Sequence, residues 1–304
     1  MAVGVSAPIA QDKVPRGDVQ AVINFFQPPA DGAKPFNYVD TPPEGEPQRN
    51  FSDAPREVTI HDIRGREAEF AKSPESLDHN AFLVVQNQSR SEDVDFADDE
   101  SIRTKYYPDV EALLLKHVPG SQRVVFFDHT VRGGKEGAPP ETSLKRGPVT
   151  RAHIDQTAEA AAMRVRKHLP PDEAEKLLQG RYRIINVWRS LNQGPVASFP
   201  LAFASSASVA DEDVITVEHR YPPAVNYIGQ TAAIRHNPAQ QWHYWSGMTR
   251  DERLLLECFD SEGLKPGSGV QGGRLGHTAF EHPGSPPDAE NRRSIEVRTL
   301  VFGP

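Results

Sequence analysis

The chain is short of thiols: its 304 residues include one cysteine, Cys258. No internal disulfide can form, and no thiolate cluster exists to hold zinc or an iron–sulfur centre. A metal, if bound, would have to use imidazole and carboxylate. Cys258 itself sits in the apolar run Leu254-Leu255-Leu256-Glu257-Cys258-Phe259, where a small buried side chain is the plain reading and a nucleophile is not. The chain also lacks an apolar stretch long enough to span a bilayer. Residues 1–18 carry neither a basic cluster ahead of an apolar stretch nor an Arg-rich amphipathic pattern, so the expectation is a cytoplasmic protein with no membrane partner. An excess of positive charge is missing too. With 42 Asp and Glu against 34 Lys and Arg the net charge is -8, which disfavours a grip on phosphate backbones, and nucleic acid is not an expected partner.

What is present suits a water-soluble globular enzyme, with 37% hydrophobic and 25% charged residues. Proline (27) and glycine (22) are spread throughout and punctuate many short apolar runs. That pattern predicts a mainly β fold with flanking helices and long loops. Strands are expected at 19–26, 58–63, 81–86, 123–130, 182–189, 214–219, 227–236 and 295–302, each rich in β-branched and aromatic residues. Helical spacing predicts a helix over 101–117, with Pro108 near a turn or kink. Further helices are expected at 157–168 behind a Thr157 cap, at 171–178, and at 249–259, where Thr249 and Glu252 read as a capping box. The acidic stretch 92–100 reads as a solvated loop. Residues 1–18 are expected to be a flexible N-terminal segment and 19–304 a single domain.

The chemistry concentrates in two places. His153-Ile154-Asp155 follows a short extended stretch and precedes the Ala-rich helix. In an extended chain alternate side chains share a face, so one imidazole and one carboxylate would point the same way. They supply two corners of a facial triad that leaves coordination positions open for an oxidant and a co-substrate. A His and an Asp at a strand-to-helix junction, with Asp155 helping to cap the helix, would give the same letters. The second place is Gly276-His277-Thr278-Ala279-Phe280, followed by Arg292-Arg293-Ser294-Ile295-Glu296-Val297-Arg298. A late ligand and then an Arg-bearing strand is the order that a double-stranded β-helix, or jelly-roll, core requires. His277 is preferred to His282, which precedes Pro283 in a loop. Arg292, with Ser294 on the same strand face, is the expected anchor for the distal carboxylate of 2-oxoglutarate through a bidentate guanidinium fork. A slip of one residue would exchange the strand's faces and leave Arg293 or Arg298 as the alternative. The ordinary fate of such arginines is an edge or surface charge.

These blocks occur together with Phe126-Phe127-Asp128-His129-Thr130-Val131-Arg132, Ile185-Asn186-Val187-Trp188-Arg189 and Tyr244-Trp245-Ser246-Gly247-Met248-Thr249-Arg250-Asp251-Glu252. In that order they resemble the fungal hydroxylase/desaturase family of iron(II)- and 2-oxoglutarate-dependent oxygenases, the group that includes gibberellin desaturase and is similar to the cephem methoxylase component. The likeness covers most of the chain after about Val19. It departs at Ser190, where Trp-Arg is usually followed by Pro.

The resemblance implies oxidation of a small secondary metabolite or its precursor by hydroxylation, desaturation or oxidative cyclisation, using Fe(II), 2-oxoglutarate and O2. It implies His153, Asp155 and His277 as iron ligands and Arg292 as the co-substrate anchor. His129, Arg132, Trp188, Arg189 and Tyr227 are the candidates for holding the small-molecule substrate. Two rival readings use the same residues. In a metal-dependent hydrolase or isomerase on a β-barrel scaffold the triad would hold zinc and an activated water. In a non-catalytic β-rich binding protein the motif would be residual. Consumption of oxygen and 2-oxoglutarate separates the oxygenase from the first, and binding of one iron(II) per chain separates it from the second.

Overall fold

A computed structural model describes residues 13–133, 147–221 and 229–303. In chain order its strands begin with β1 (Val19–Gln27), β2 (Phe36–Tyr38), β3 (Ser52–Asp62), β4 (Phe82–Val85), β5 (Arg123–Arg132), β6 (His153–Ile154) and β7 (Arg181–Ser190). They continue with β8 (Leu201–Ala204), β9 (Val214–Arg220), β10 (Gly229–Ile234), β11 (Trp242–Tyr244), β12 (Arg253–Asp260), β13 (Gly276–Ala279) and β14 (Ser294–Gly303). Nine strands form one sheet in the order β1-β3-β11-β8-β13-β6-β10-β9-β2, and five form a second in the order β4-β12-β7-β14-β5. The first strand of the larger sheet returns against the approach to β6, where the Ala152 N–H donates to the Asn24 carbonyl at 2.9 Å. The sheet therefore curls on itself and encloses Ile23, Phe25, Ile154, Ala202, Ala204, Trp242 and Tyr244.

Between the two sheets, Phe82, Trp188, Leu201, Phe203, Leu254, Leu256, Leu300 and Phe302 pack as the main core. The outer face of the five-stranded sheet packs Ile185, Val187, Leu255, Ile295 and Val297 on Val110, Leu113 and Leu114 of the helix Tyr107–His117. This is the mainly β, helix-flanked jelly-roll expected from the punctuation of the sequence. Pro108, which has no N–H to give, stands in the first turn of that helix, and the preceding Ile102–Tyr106 winds in the wider π form. The acidic stretch does more than face water: Asp98 accepts from the N–H groups of Glu100 and Ser101 and so caps the start of this helical run.

One element differs from expectation. Residues 249–259 are not a helix; Arg253–Asp260 is the strand β12. The capping box is present locally, with Glu252 accepting from the Thr249 N–H at 3.0 Å, but it closes a turn and the chain then extends. Strand β12 lies between β4 and β7 and is buried along its whole length. With both faces covered, its run Leu254-Leu255-Leu256 is apolar without alternation, and such a run carries no period to tell strand from helix. Short strands such as β8, β11 and β13 escape sequence reading because three or four residues hold no more than two full periods. The expected N-terminal segment is described only from residue 13, where Val14 is buried and the Gly17 N–H donates to Asp62.

Burial of one imidazole in this core has a measurable consequence. His243 on β11 lies among the rings of Phe70, Phe82 and Phe203, and its Nδ1 has no partner among the described residues. Loss of hydration pushes its pKa from 6.5 down to about 4. Between those values the unfolded chain binds a proton that the folded chain refuses, so this group costs stability as pH falls from about 6.5 towards 4. The penalty approaches about 1.4 kcal/mol per pH unit. His243→Phe should therefore flatten the pH dependence of urea unfolding across that window. Parallel curves for the two proteins would show that His243 titrates alike in both states.

Candidate metal centre

The centre is built on a strand pairing. In the antiparallel pairing of β13 with β6, His277 stands directly opposite His153, and their ring centroids are 4.4 Å apart. Asp155 lies one residue beyond β6, where the chain turns towards the helix Ala158–His168. That helix is capped by Thr157, whose hydroxyl accepts from the Ala160 N–H at 3.1 Å, so Asp155 is not spent on capping. One ligand atom from each of His153, Asp155 and His277 lies within 4.8 Å of the others. Asp155 Oδ1 is 3.3 Å from His153 Nε2 and 3.9 Å from His277 Nε2.

The tautomers follow from the backbone. His153 Nδ1 lies 2.8 Å from the Arg151 carbonyl and His277 Nδ1 lies 3.3 Å from the Leu275 carbonyl, each two residues back along the chain. A carbonyl accepts only, so each Nδ1 carries a proton and Nε2 is the nitrogen turned towards Asp155. Burial, reinforced by the neighbouring His153, pushes the His277 pKa down to about 4 and keeps that ring neutral at physiological pH. Asp155 goes the other way. Burial alone would raise its pKa, but the contact with His153 and the charge of Arg298 hold it well below the ordinary carboxylate range. Two imidazole Nε2 atoms and one carboxylate oxygen converge on one point, an arrangement that a divalent cation satisfies and that oriented, carbonyl-bonded imidazoles commonly accompany. The donor set fits iron(II).

The cavity beside the three candidate ligands is walled by Arg132, Val149, Trp188, Leu201, Ala279, Arg292, Glu296 and Arg298. Strand β14 supplies the charged wall. Ile295 and Val297 point to the helical side, so Ser294, Glu296 and Arg298 share the inner face. Arg292, just before the strand, is also inside; it donates to the Phe199 carbonyl at 2.8 Å and its Cζ is 5.8 Å from the Trp188 ring centre. Its Nε is buried with no partner among the described residues. Burial lowers its pKa to about 10, which leaves it cationic at neutral pH. Phe199 offers that carbonyl from a left-handed backbone conformation, φ 47°, unusual for a bulky residue and a mark of local strain. Arg293 points away and donates to the Gly133 carbonyl.

Of the residues expected to face substrate, Arg132 and Trp188 line the cavity. His129 and Arg189 do not. His129 bonds the Tyr107 hydroxyl at 2.8 Å on the helical side. Arg189 is buried against the rings of Phe96 and Tyr106, donating to Ser91 and to the Arg90 carbonyl. Tyr227 lies outside the described residues. His282 is apart from the centre, 3.3 Å from the Tyr244 hydroxyl and accepting from the Gly284 N–H. Cys258 is fully buried, and burial raises its thiol pKa well above the usual value. Two residues of the centre escaped sequence reading, Asn186 and Glu296. Both are polar side chains on the inner face of core strands, a placement that demands partners.

The relatives agree with this chemistry. Residues 23–302 match the family model described as YDMC, an oxidoreductase/YMDC permease-like domain. Among the described residues, no helix is long and apolar enough to cross a membrane. The hydroxylase/desaturase poxK of Penicillium oxalicum is 39% identical over 268 residues, covering 82% of this chain and 79% of that protein. The alpha-ketoglutarate-dependent dioxygenase phiK of a fungal species is 30% identical over 292 residues, covering 94% and 96%. The solved structure of the iron and alpha-ketoglutarate-dependent endoperoxidase NvfI superposes with a TM-score of 0.80 at 30% identity, over 95% of this chain and 99% of that one. With a matched fold, a conforming donor set and relatives of this kind, the chain belongs to the fungal hydroxylase/desaturase family of iron(II)- and 2-oxoglutarate-dependent oxygenases.

Proposed function

We propose that this oxygenase acts in the cytoplasm on a small organic metabolite, with His153, Asp155 and His277 as its metal ligands and Arg292 as the anchor of 2-oxoglutarate. The observation that carries the reading is the convergence of two imidazole nitrogens and a carboxylate oxygen beside a buried guanidinium whose Nε has no partner among the described residues. Relatives named as hydroxylases, desaturases and an endoperoxidase support oxidation of a substrate carbon framework, and hydrolysis would give Arg292 no task. The net charge of -8 supports a small-molecule substrate over a nucleic acid. A single oxygenase domain over 19–304 is part of the same proposal.

Iron(II) bound with 2-oxoglutarate and O2 supplies the oxidising power for cleaving a substrate C–H bond. The protein's share is geometry. Arg292 is held in plane by the Phe199 carbonyl on one nitrogen and by the Trp188 face, which leaves its other edge to receive a carboxylate as a two-point fork. Ser294, buried at the start of β14 on the same inner face, stands as the supporting hydroxyl in this proposal. Val149, Leu201 and Ala279 give the cavity apolar walls that exclude water from the reacting centre. Arg132 and Trp188 are the wall residues proposed to meet substrate; its placement against them selects hydroxylation, desaturation or cyclisation.

Each of His153→Ala, Asp155→Ala and His277→Ala should abolish turnover and one-to-one iron(II) binding while far-ultraviolet circular dichroism stays native. His282→Ala should keep both. Loss in the His282 variant with retention in the His277 variant would exchange the third ligand.

Arg292→Ala should weaken 2-oxoglutarate by roughly 2–5 kcal/mol, since a charge-assisted fork is lost and a buried carboxylate is left unpaired. Lysine at 292 should restore only part of that, because it keeps the charge and loses the planar geometry. Iron(II) affinity should hardly change in either variant. Anaerobic titration of the metal-to-ligand charge-transfer band measures this, and normal 2-oxoglutarate binding by Arg292→Ala would move the anchor elsewhere.

A further inference from the structure

The ligand assignment just proposed uses one oxygen of Asp155, and the surroundings of the other carry a further step. Asp155 Oδ1 faces the two imidazoles, at 3.3 Å from His153 Nε2 and 3.9 Å from His277 Nε2. Asp155 Oδ2 faces away from them. It accepts from Asn186 Nδ2 at 2.8 Å and lies 3.4 Å from Arg298 Nε. Resting on that ligand assignment, we propose that Asn186 and Arg298 form a clamp on Oδ2 that fixes Asp155 as a one-oxygen ligand and sets the metal affinity of the centre. They are positioning residues, acting on the metal through Asp155.

The orientation of both donors is determined by what else they touch. Asn186 is fully buried on β7, and the nitrogen that reaches Asp155 also donates to Glu296 Oε1 at 3.2 Å. Turning the amide over would set its oxygen against two carboxylates, so the donor edge must face them. The Arg298 head is occupied on every side. Its Nη2 pairs with Glu296 Oε1 at 2.6 Å, and its Nη1 reaches Asp128 Oδ2 at 3.0 Å and Thr130 Oγ1 at 2.8 Å. That leaves Nε for Asp155 and no free edge for a second anion. Arg298 is thereby assigned to the ligand and not to the co-substrate, although it shares a strand face with Ser294.

A carboxylate with both oxygens free can swing to chelate a cation with two atoms, which would fill a position that the oxidant and co-substrate need. Two donors on Oδ2 occupy its lone pairs and prevent that swing. They also hold the anion in the rotamer that meets the two imidazoles, so the ordering cost of metal binding is already met in the folded chain.

The test is cobalt(II) binding to the metal-free enzyme, followed by calorimetry and by the visible absorption of the bound ion. Asn186→Ala and Arg298→Lys should each weaken cobalt(II) by about 10–100-fold and shift its visible bands, as loss of an outer-shell partner commonly does. On cobalt-saturated protein their 2-oxoglutarate affinity should remain within about twofold of the unaltered enzyme, in line with the assignment of Arg298 to the ligand. Because Asn186 is fully buried, circular dichroism must confirm the fold of its variant, and Arg298→Lys, which keeps the charge, decides the matter if that fold is lost. Native cobalt(II) affinity in the folded variants, with Asp155→Ala inactive in binding, would overturn the clamp and leave the ligand assignment standing. Equal cobalt(II) binding by the unaltered enzyme and Asp155→Ala would overturn both. Native metal affinity combined with lost 2-oxoglutarate affinity in Arg298→Lys would transfer Arg298 to the co-substrate.

Discussion

The structure turns on one register: His277 of β13 opposite His153 of β6. Strand pairing delivers two imidazoles to the same side of one sheet, and the backbone carbonyl two residues behind each ring places a proton on its Nδ1. A shift of one residue in either strand would turn its histidine to the far side, among Ile154, Ala202 and Ala204. The apolar residues beside the ligands therefore have a functional consequence. Ala152 and Ile154 bury on the back of the sheet, and that burial is what holds His153 to the front. Beyond Ile154 the chain leaves the sheet, and the Thr157 cap starts the next helix close enough to keep Asp155 at the strand's end.

Much of this was legible in the sequence because the proposed ligands lie on a strand or directly at its end, and strands have a period of two. His153 and Asp155, two apart, had to share a side, and so did Arg292 and Ser294. The same rule separates the substrate candidates. His129 and Arg132 differ by three on β5, and Trp188 and Arg189 are adjacent on β7, so within each strand both members cannot face one cavity. The structure puts Arg132 and Trp188 inside and His129 and Arg189 against the helical layer. An irregular register beside Arg298, where β5 carries an extra residue, did not alter that outcome.

What stayed illegible had physical causes. The run of leucines in β12 has both faces covered, so it lost the alternation that marks a strand, and a local Thr249–Glu252 hydrogen bond imitated the start of a helix. Asn186 and Glu296 gave no motif of their own. Their meaning lies in partners 31 and 110 residues from Asn186 along the chain, which only the fold brings within hydrogen-bond distance. A polar residue between Ile185 and Val187, or between Ile295 and Val297, is nevertheless a signal once those strands are known to be buried, since most buried polar groups are paired.

Charge balance links the metal and co-substrate sites. Around the cavity stand the guanidiniums of Arg132, Arg292 and Arg298 and the carboxylates of Asp155 and Glu296. With both carboxylates ionised these five carry one net positive charge. Under the proposed assignment iron(II) and the 2-oxoglutarate dianion cancel, so the filled site has the same net charge as the bare protein. Either one bound alone would shift it by two charges in a poorly hydrated space, where such an imbalance is costly. Metal and co-substrate should thus favour each other's binding, and Glu296 matters to this coupling without touching either. It holds Arg298 at 2.6 Å, so that this guanidinium serves Asp155 and, under the same proposed assignment, leaves the 2-oxoglutarate carboxylate to Arg292.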